Sequence, residues 1–165
     1  MKLSLLFTAA VAFAATQIPA AIDTITKDTV ALNETVAHWN GLPLSLLGIV
    51  GKSNSLLNDI KKGTKTAKAS DPLTFDEALN VATVTVDLAT DVHQTLDTIV
   101  RSKPRFDVYL IVSPILKKVL KDQKAATVDF SNAVVSKVPA DLQAVAKNLI
   151  QPIYDDFDKA IAAYS

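Results

Sequence analysis

The sequence predicts an all-α protein, a single bundle of five helices. Three observations predict it. Apolar residues recur every three or four positions along almost the whole chain. Alternating strand patterns, and Asn-Gly turns between β-branched runs, are lacking. Proline, glycine and Asn-Gly punctuation divides the periodic stretches into five. With 165 residues the chain suffices for one core and is too short for two.

The first segment reads as an address. Met1-Lys2 is a short basic start, Leu3 to Ala15 is apolar apart from Ser4 and Thr8, and Ala12-Phe13-Ala14 has the small-x-small form that signal peptidase accepts. Residues 1–15 are therefore expected to be a removed secretory signal, followed by one domain over 16–165. The run is shorter than the roughly 20 residues of a permanent membrane span. No second hydrophobic tail follows Tyr164-Ser165, so no glycolipid anchor is expected and the mature chain should lack a transmembrane segment. Export makes Asn33-Glu34-Thr35 a usable glycosylation sequon on Asn33.

The first helix follows from Ile22, Ile25, Thr29, Leu32, Val36 and Trp39, which share one stripe; Asn40-Gly41 and Pro43 stop it. The second is expected from Leu44 to Ala69 with Leu46, Leu47, Ile49, Val50, Leu56, Leu57 and Ile60 inward, although Gly48 and Gly51 weaken its first half. Lys61, Lys62, Lys65 and Lys68 suit its negative end. After the break at Ser70-Asp71-Pro72, Thr74 and Glu77 match a capping box. The third helix then keeps a heptad-like step from Phe75 through Leu79, Ala82, Val86, His93 and Val100 to Ser102. Lys103-Pro104 is expected to separate it from a fourth helix holding Phe106, Tyr109, Leu110, Leu116, Leu120 and Phe130, kinked or split by Pro114. Val138-Pro139 precedes a fifth helix from Leu142 to Tyr164, bent at Pro152.

Composition narrows the chemistry. Seventeen Lys and Arg balance seventeen Asp and Glu, which gives no basic field for a phosphate backbone, so no nucleic-acid partner is expected. The absence of Cys excludes disulfides, thiolate metal sites and a cysteine nucleophile, and two His leave little for a histidine-based metal site. No cofactor or metal is expected. Gly51-Lys52-Ser53-Asn54-Ser55 lacks the second glycine of a nucleophile elbow, and no strand precedes it. Asp155, Asp156 and Asp158 lack the glycine and distal Glu of a calcium loop and read as a solvated acidic face. His93 reads as a satisfied, semi-buried histidine, His38 as a helix cap and Trp39 as a core anchor. Nothing supports a catalytic residue, and a non-enzyme is expected. What stands out is the width of the apolar faces in Leu44 to Val50 and Phe106 to Leu120, which either thicken the core or line a cavity.

In the order of these features the chain resembles the fungal hydrophobic surface binding protein A family, whose members include cell-wall galactomannoprotein antigens. The resemblance lies in Asp23-Thr24-Ile25 through Asn40-Gly41, in Ala78 to Phe106 with its Arg101-Ser102-Lys103-Pro104-Arg105-Phe106 junction, and in Lys118 to Tyr164 around Val138-Pro139. It implies a secreted, cell-wall or extracellular helical domain that holds a fatty acid in a cavity between helices. The alternative it implies is a protein that adsorbs to hydrophobic surfaces and recruits secreted hydrolases. For the first activity the expected lining is Leu47, Leu56, Ile60, Phe106, Leu110, Leu116 and Leu149. Ser53 and Ser113, which border apolar runs, and the Tyr109 phenol are the candidate head-group donors. Unlike wall-attached members with Ser/Thr-rich tails, this chain ends directly after its fifth helix, so a freely secreted or loosely wall-associated single-domain form is expected.

Overall fold

A computed structural model describes residues 17–165, so the expected signal segment lies outside the described residues. Five helices follow in order: α1 (Gln17–Ala37), α2 (Leu46–Ala69), α3 (Phe75–Phe106), α4 (Val112–Val135) and α5 (Gln143–Ala163). Short 3₁₀ turns at Pro43–Ser45 and Ala140–Leu142 lead into α2 and α5. Among the described residues no helix is long and apolar enough to cross a membrane.

The helices close into a ring. α1 packs between α2 and α3, α2 also meets α4, and α5 completes the circuit between α3 and α4, which scarcely touch each other. Two links therefore join helices that are not neighbours and must cross the ends of the ring. At the upper end the α3–α4 link meets the α1–α2 link: Tyr109 Oη donates to the Gly41 carbonyl at 2.7 Å, and Trp39 stacks on the fully buried Phe106 with centroids 4.7 Å apart. Gly41 takes a φ of 83°, the left-handed region that glycine adopts without strain. At the lower end Leu73 N donates to Lys137 O at 2.7 Å, tying the α2–α3 link to the α4–α5 link.

Each helix buries the stripe its sequence spacing supplies. Ile18, Ile22, Ile25, Leu32 and Val36 of α1 are all essentially inaccessible. Gly63 lets α2 come close to its neighbours, since a Cβ there would stand 3.1 Å from the Phe130 ring and 3.3 Å from Ile25 Cδ1. The capping box opens α3: Glu77 N donates to Thr74 Oγ1 at 3.3 Å, and Thr74 N donates to Glu77 Oε2 at 2.7 Å.

Three expectations are corrected. α3 runs through Pro104 to Phe106: the proline gives up the bond to Val100 O, but Asp107 N still reaches Lys103 O at 2.8 Å and closes the final turn. Phe106, Tyr109 and Leu110 accordingly precede α4. Pro114 neither kinks nor splits α4, since it occupies the first turn, where backbone N–H groups have no intrahelical partner. Leu47 and Val50 face outward on α2.

The two halves of α5 differ. Ile153, Phe157, Ala160 and the following Tyr164 are buried, whereas no residue of α5 before Pro152 is. Side-chain hydrogen bonds from α5 and its C-terminal Tyr164 to α3 and α4 also fall only on the second half. His93 Nδ1 of α3 meets Asp156 Oδ2 at 2.8 Å, Lys124 Nζ of α4 donates to Asp158 Oδ1 at 2.5 Å, and Tyr164 Oη donates to Ile99 O at 2.7 Å. His93 is thus exposed and paired with a carboxylate; of the Asp cluster, Asp155 and Asp158 are exposed as a solvated face requires, and Asp156 and Asp158 also tie α5 to α3 and α4. Burial raises the Tyr164 phenol well above its ordinary range.

Burial alone would raise the Asp156 carboxyl, but hydrogen bonds from His93 and Lys159 outweigh it and hold the group below its ordinary value. A carboxylate depressed in the folded state stabilises above its unfolded pKa and loses that contribution on acidification. Asp156→Asn should therefore lower unfolding free energy by about 1 kcal/mol at neutral pH and by progressively less as the pH falls through and below the ordinary carboxylate range. Thermal melts of both proteins across that range check it.

Candidate functional site

The ring encloses an apolar slot in two compartments. The first, about 110 Å³, lies in the lower half between α1, α3, α4 and α5. It opens to solvent between α3 and α5, where Leu79 and Val145 border it while remaining about half or more exposed. The second, about 40 Å³, lies deeper among α1, α2, α3, α4 and α5. Leu88, Thr127, Phe130 and Ile153 border both, so these four side chains form the partition between them.

Local sequence explains the space. Ala78 and Ala82 of α3 and Ala146 of α5 line the first compartment with single methyl groups where larger residues would have met. Larger side chains from α4, Phe130 and Val134, supply the opposite wall. The first half of α5 covers the slot without burying any residue fully, and Pro152 removes the N–H that would bond the carbonyl of Asn148. That half is a cover attached to a firmly held second half.

Among the described residues no ionisable side chain borders either compartment. The hydroxyls in the walls are largely consumed by their own helices: Thr85 donates to Val81 O at 2.7 Å, Thr29 to Ile25 O at 2.8 Å and Thr95 to Asp91 O at 2.7 Å. Gln123, only 2% exposed, is different. Its Nε2 reaches out of its own helix to Ser53 O at 3.3 Å, the long end of hydrogen bonding. A buried amide held by one long bond is a donor that a ligand oxygen can recruit.

The slot takes up only part of the sequence-predicted set. Leu56 and Ile60 border the deep compartment and Leu149 the first. Phe106 and Leu116 are buried core residues that border neither. Leu47 and Leu110 are 67% and 91% exposed, at the upper end of the bundle. Of the head-group candidates, Ser53 lies beside the slot through its carbonyl bond to Gln123. Tyr109 and Ser113 are engaged by Gly41 O and Asp107 in the upper links. Asn33 is half-buried within α1, its Oδ1 buried without a hydrogen-bond partner. His38 Nδ1 lies 2.9 Å from Glu34 O, a cap as expected. Sequence reasoning missed Gln123 and the alanines of α3 and α5. The signal was present as small residues at helical spacing, 78, 82 and 146, on stripes otherwise made of Leu, Val and Ile.

A disulfide-free helical ring around an uncharged apolar slot is the class of protein that fold and site define. Within it, the chain belongs to the hydrophobic surface binding protein A family, whose profile matches residues 15–136. Cell wall mannoprotein 1 of Aspergillus fumigatus is 29% identical over 143 residues, covering 87% of this chain and 49% of that protein. The chain thus spans about half the length of this relative. The crystal structure of Afmp4p in complex with palmitic acid is similar at a TM-score of 0.88 and 26% identity, covering 92% of this chain and 99% of that one. Ligand binding domain 1 of the Penicillium marneffei MP1 protein, complexed with arachidonic acids, shares the fold at a TM-score of 0.87 and 20% identity, covering 92% and 99%.

Filling the slot should differ from overfilling the core. Ala82→Leu is expected to leave the melting temperature unchanged or raise it, whereas Ala160→Leu, at a position 1% exposed, should cost about 1–3 kcal/mol. Denaturant titration of the two variants separates the outcomes.

Proposed function

We propose that this protein is a secreted, non-enzymatic carrier that holds the acyl chain of a fatty acid in the slot. One observation carries the reading: a two-compartment apolar slot without ionisable walls, in a fold shared with palmitic- and arachidonic-acid complexes. Burial supplies roughly 0.8 kcal/mol per methylene, so a sixteen-carbon chain gains on the order of 10 kcal/mol before ordering costs. Uptake joins the compartments by displacing the Phe130 partition and moves the first half of α5, none of whose own residues is buried, outward.

The Gln123 amide is the donor for the carboxyl group, released from its long bond to Ser53 O. A carboxyl buried there meets no cation in the slot walls, so its pKa rises and the acid binds in its neutral form. Affinity should therefore increase as pH falls. Gln123→Leu should weaken binding of a fatty acid by about tenfold, the loss of about one hydrogen bond, while leaving an alkane probe unaffected.

Native mass spectrometry of delipidated protein with added palmitate provides the direct test. Saturable uptake, blocked by Ala82→Trp and retained by Leu110→Trp, is the expected result; absence of saturable uptake by the wild type overturns the reading. Hydrogen exchange supplies a second check: amides of residues 143–151 should exchange faster than those of 153–163 in the free protein and slow when ligand is added.

A further inference from the structure

The upper end of the bundle carries an apolar surface that neither the core nor the slot uses. Leu42, Leu44 and Leu47 beside the α1–α2 link, and Val108, Leu110 and Ile111 in the α3–α4 link, are all more than half exposed, Leu44 at 78%. The links that present them are tied together. Tyr109 bonds Gly41 O, the Arg105 guanidinium donates to Trp39 O, and the Ser45 hydroxyl meets Asn40 Oδ1 at 2.6 Å. The six side chains therefore stand on one preformed end surface. A contiguous exposed apolar set of this kind marks an interaction site.

The surrounding charge identifies the partner. Residues 101–121 carry Arg101, Lys103, Arg105, Lys117, Lys118 and Lys121 against the single acid Asp107, and Lys52 adds a cation from α2. Lys103 pairs with Asp107, Arg101 and Lys118 pair with Asp97 and Asp122 a little further down the helices, and Glu34 adds one acid near the end of α1, which leaves Arg105, Lys117, Lys121 and Lys52 as the excess over that acid. The whole chain balances its charges at 17 each, so the rest of the bundle is correspondingly acidic. A bare hydrocarbon surface has no use for such a collar, and a second copy docked end to end would bring two cationic collars together. A surface that is apolar beneath a negative layer matches both features.

We propose that this end of the protein docks on anionic lipid bilayers, with the six apolar side chains entering the interfacial region and the Lys and Arg collar meeting headgroup phosphates. The inference does not rest on fatty-acid binding. The mouth of the slot lies in the lower half, away from the docking end.

Co-sedimentation of the purified protein with vesicles of equimolar phosphatidylcholine and phosphatidylglycerol, and with vesicles of phosphatidylcholine alone, tests it. Partitioning should favour the anionic vesicles and weaken as salt is raised. The double variant Leu44→Asp/Leu110→Asp should lose at least about tenfold in partitioning, with an unchanged melting temperature because both side chains are exposed. Lys117→Gln/Lys121→Gln should lose about fivefold per lysine on the anionic vesicles alone. Equal partitioning of the Asp variant and the wild type overturns the proposal, as does equal partitioning to both vesicle types. Concentration-dependent dimerisation abolished by the same Asp variant would assign the surface to a second copy and also overturn it.

Discussion

The structure depends on one topological constraint, the closure of five helices into a ring in which α3 and α4 follow each other in the chain but are separated in space by α5. Four helices around an axis can meet through their side chains; a fifth widens the circle, and the interior is filled only if every helix contributes bulk. α1 does, with Ile18, Ile22, Ile25, Leu32 and Val36, and α2 does from Ile49 to Ile60. α3 and α5 contribute alanines at 78, 82 and 146, and the slot opens along that side. The same closure forces two links across the ends of the bundle, which places Trp39, Phe106 and Tyr109 as an aromatic stopper above the slot.

α5 closes the circuit and is the least evenly held helix. Its second half combines apolar burial with three polar ties to α3 and α4, and its first half has neither. Pro152 stands at the boundary, where the helix has lost a backbone hydrogen bond at no cost to packing. Local stability in a protein follows the number of buried contacts and protected hydrogen bonds. The half with the fewest such contacts therefore lies over the apolar space, and the half that fixes the ring lies beyond Pro152.

Most of the fold was legible in the sequence because helical periodicity and punctuation act locally. The capping box at Thr74 and Glu77, the stop at Asn40-Gly41 and the stripes of α1 and α3 need only neighbouring residues to operate. Structure departs from the sequence pattern where position within an element decides the outcome: the missing N–H that breaks a helix interior is harmless in the first turn, as at Pro114, while at Pro104 it costs one bond, to Val100 O, and Asp107 N still closes the final turn on Lys103 O. The site was less legible. A wide apolar face predicts slot lining, but at Leu47 and Leu110 it faces solvent, and at Phe106 and Leu116 it is filled core. A cavity is defined by what is missing opposite a wall, and alanine spacing on two helices becomes meaningful only once their pairing across the ring is known. Gln123 was invisible for the same reason: its partner, Ser53 O, is 70 residues away in the chain.

The two apolar features of the protein answer different physical demands and occupy opposite ends. The slot is concave, uncharged and covered, so what it takes must be desolvated along its length. The upper surface is convex, built on stiff links and ringed by cations, so what it meets must offer a negative layer over a greasy one. Because Trp39, Phe106 and Tyr109 fill the bundle between them, a contact at the top has no open path to the slot, and coupling between the two would have to travel through α3 or α5 as rigid bodies. Independent sites of this kind predict additive behaviour: substitutions at Leu110 and at Ala82 share no partner, so their effects on stability and binding combine without interaction.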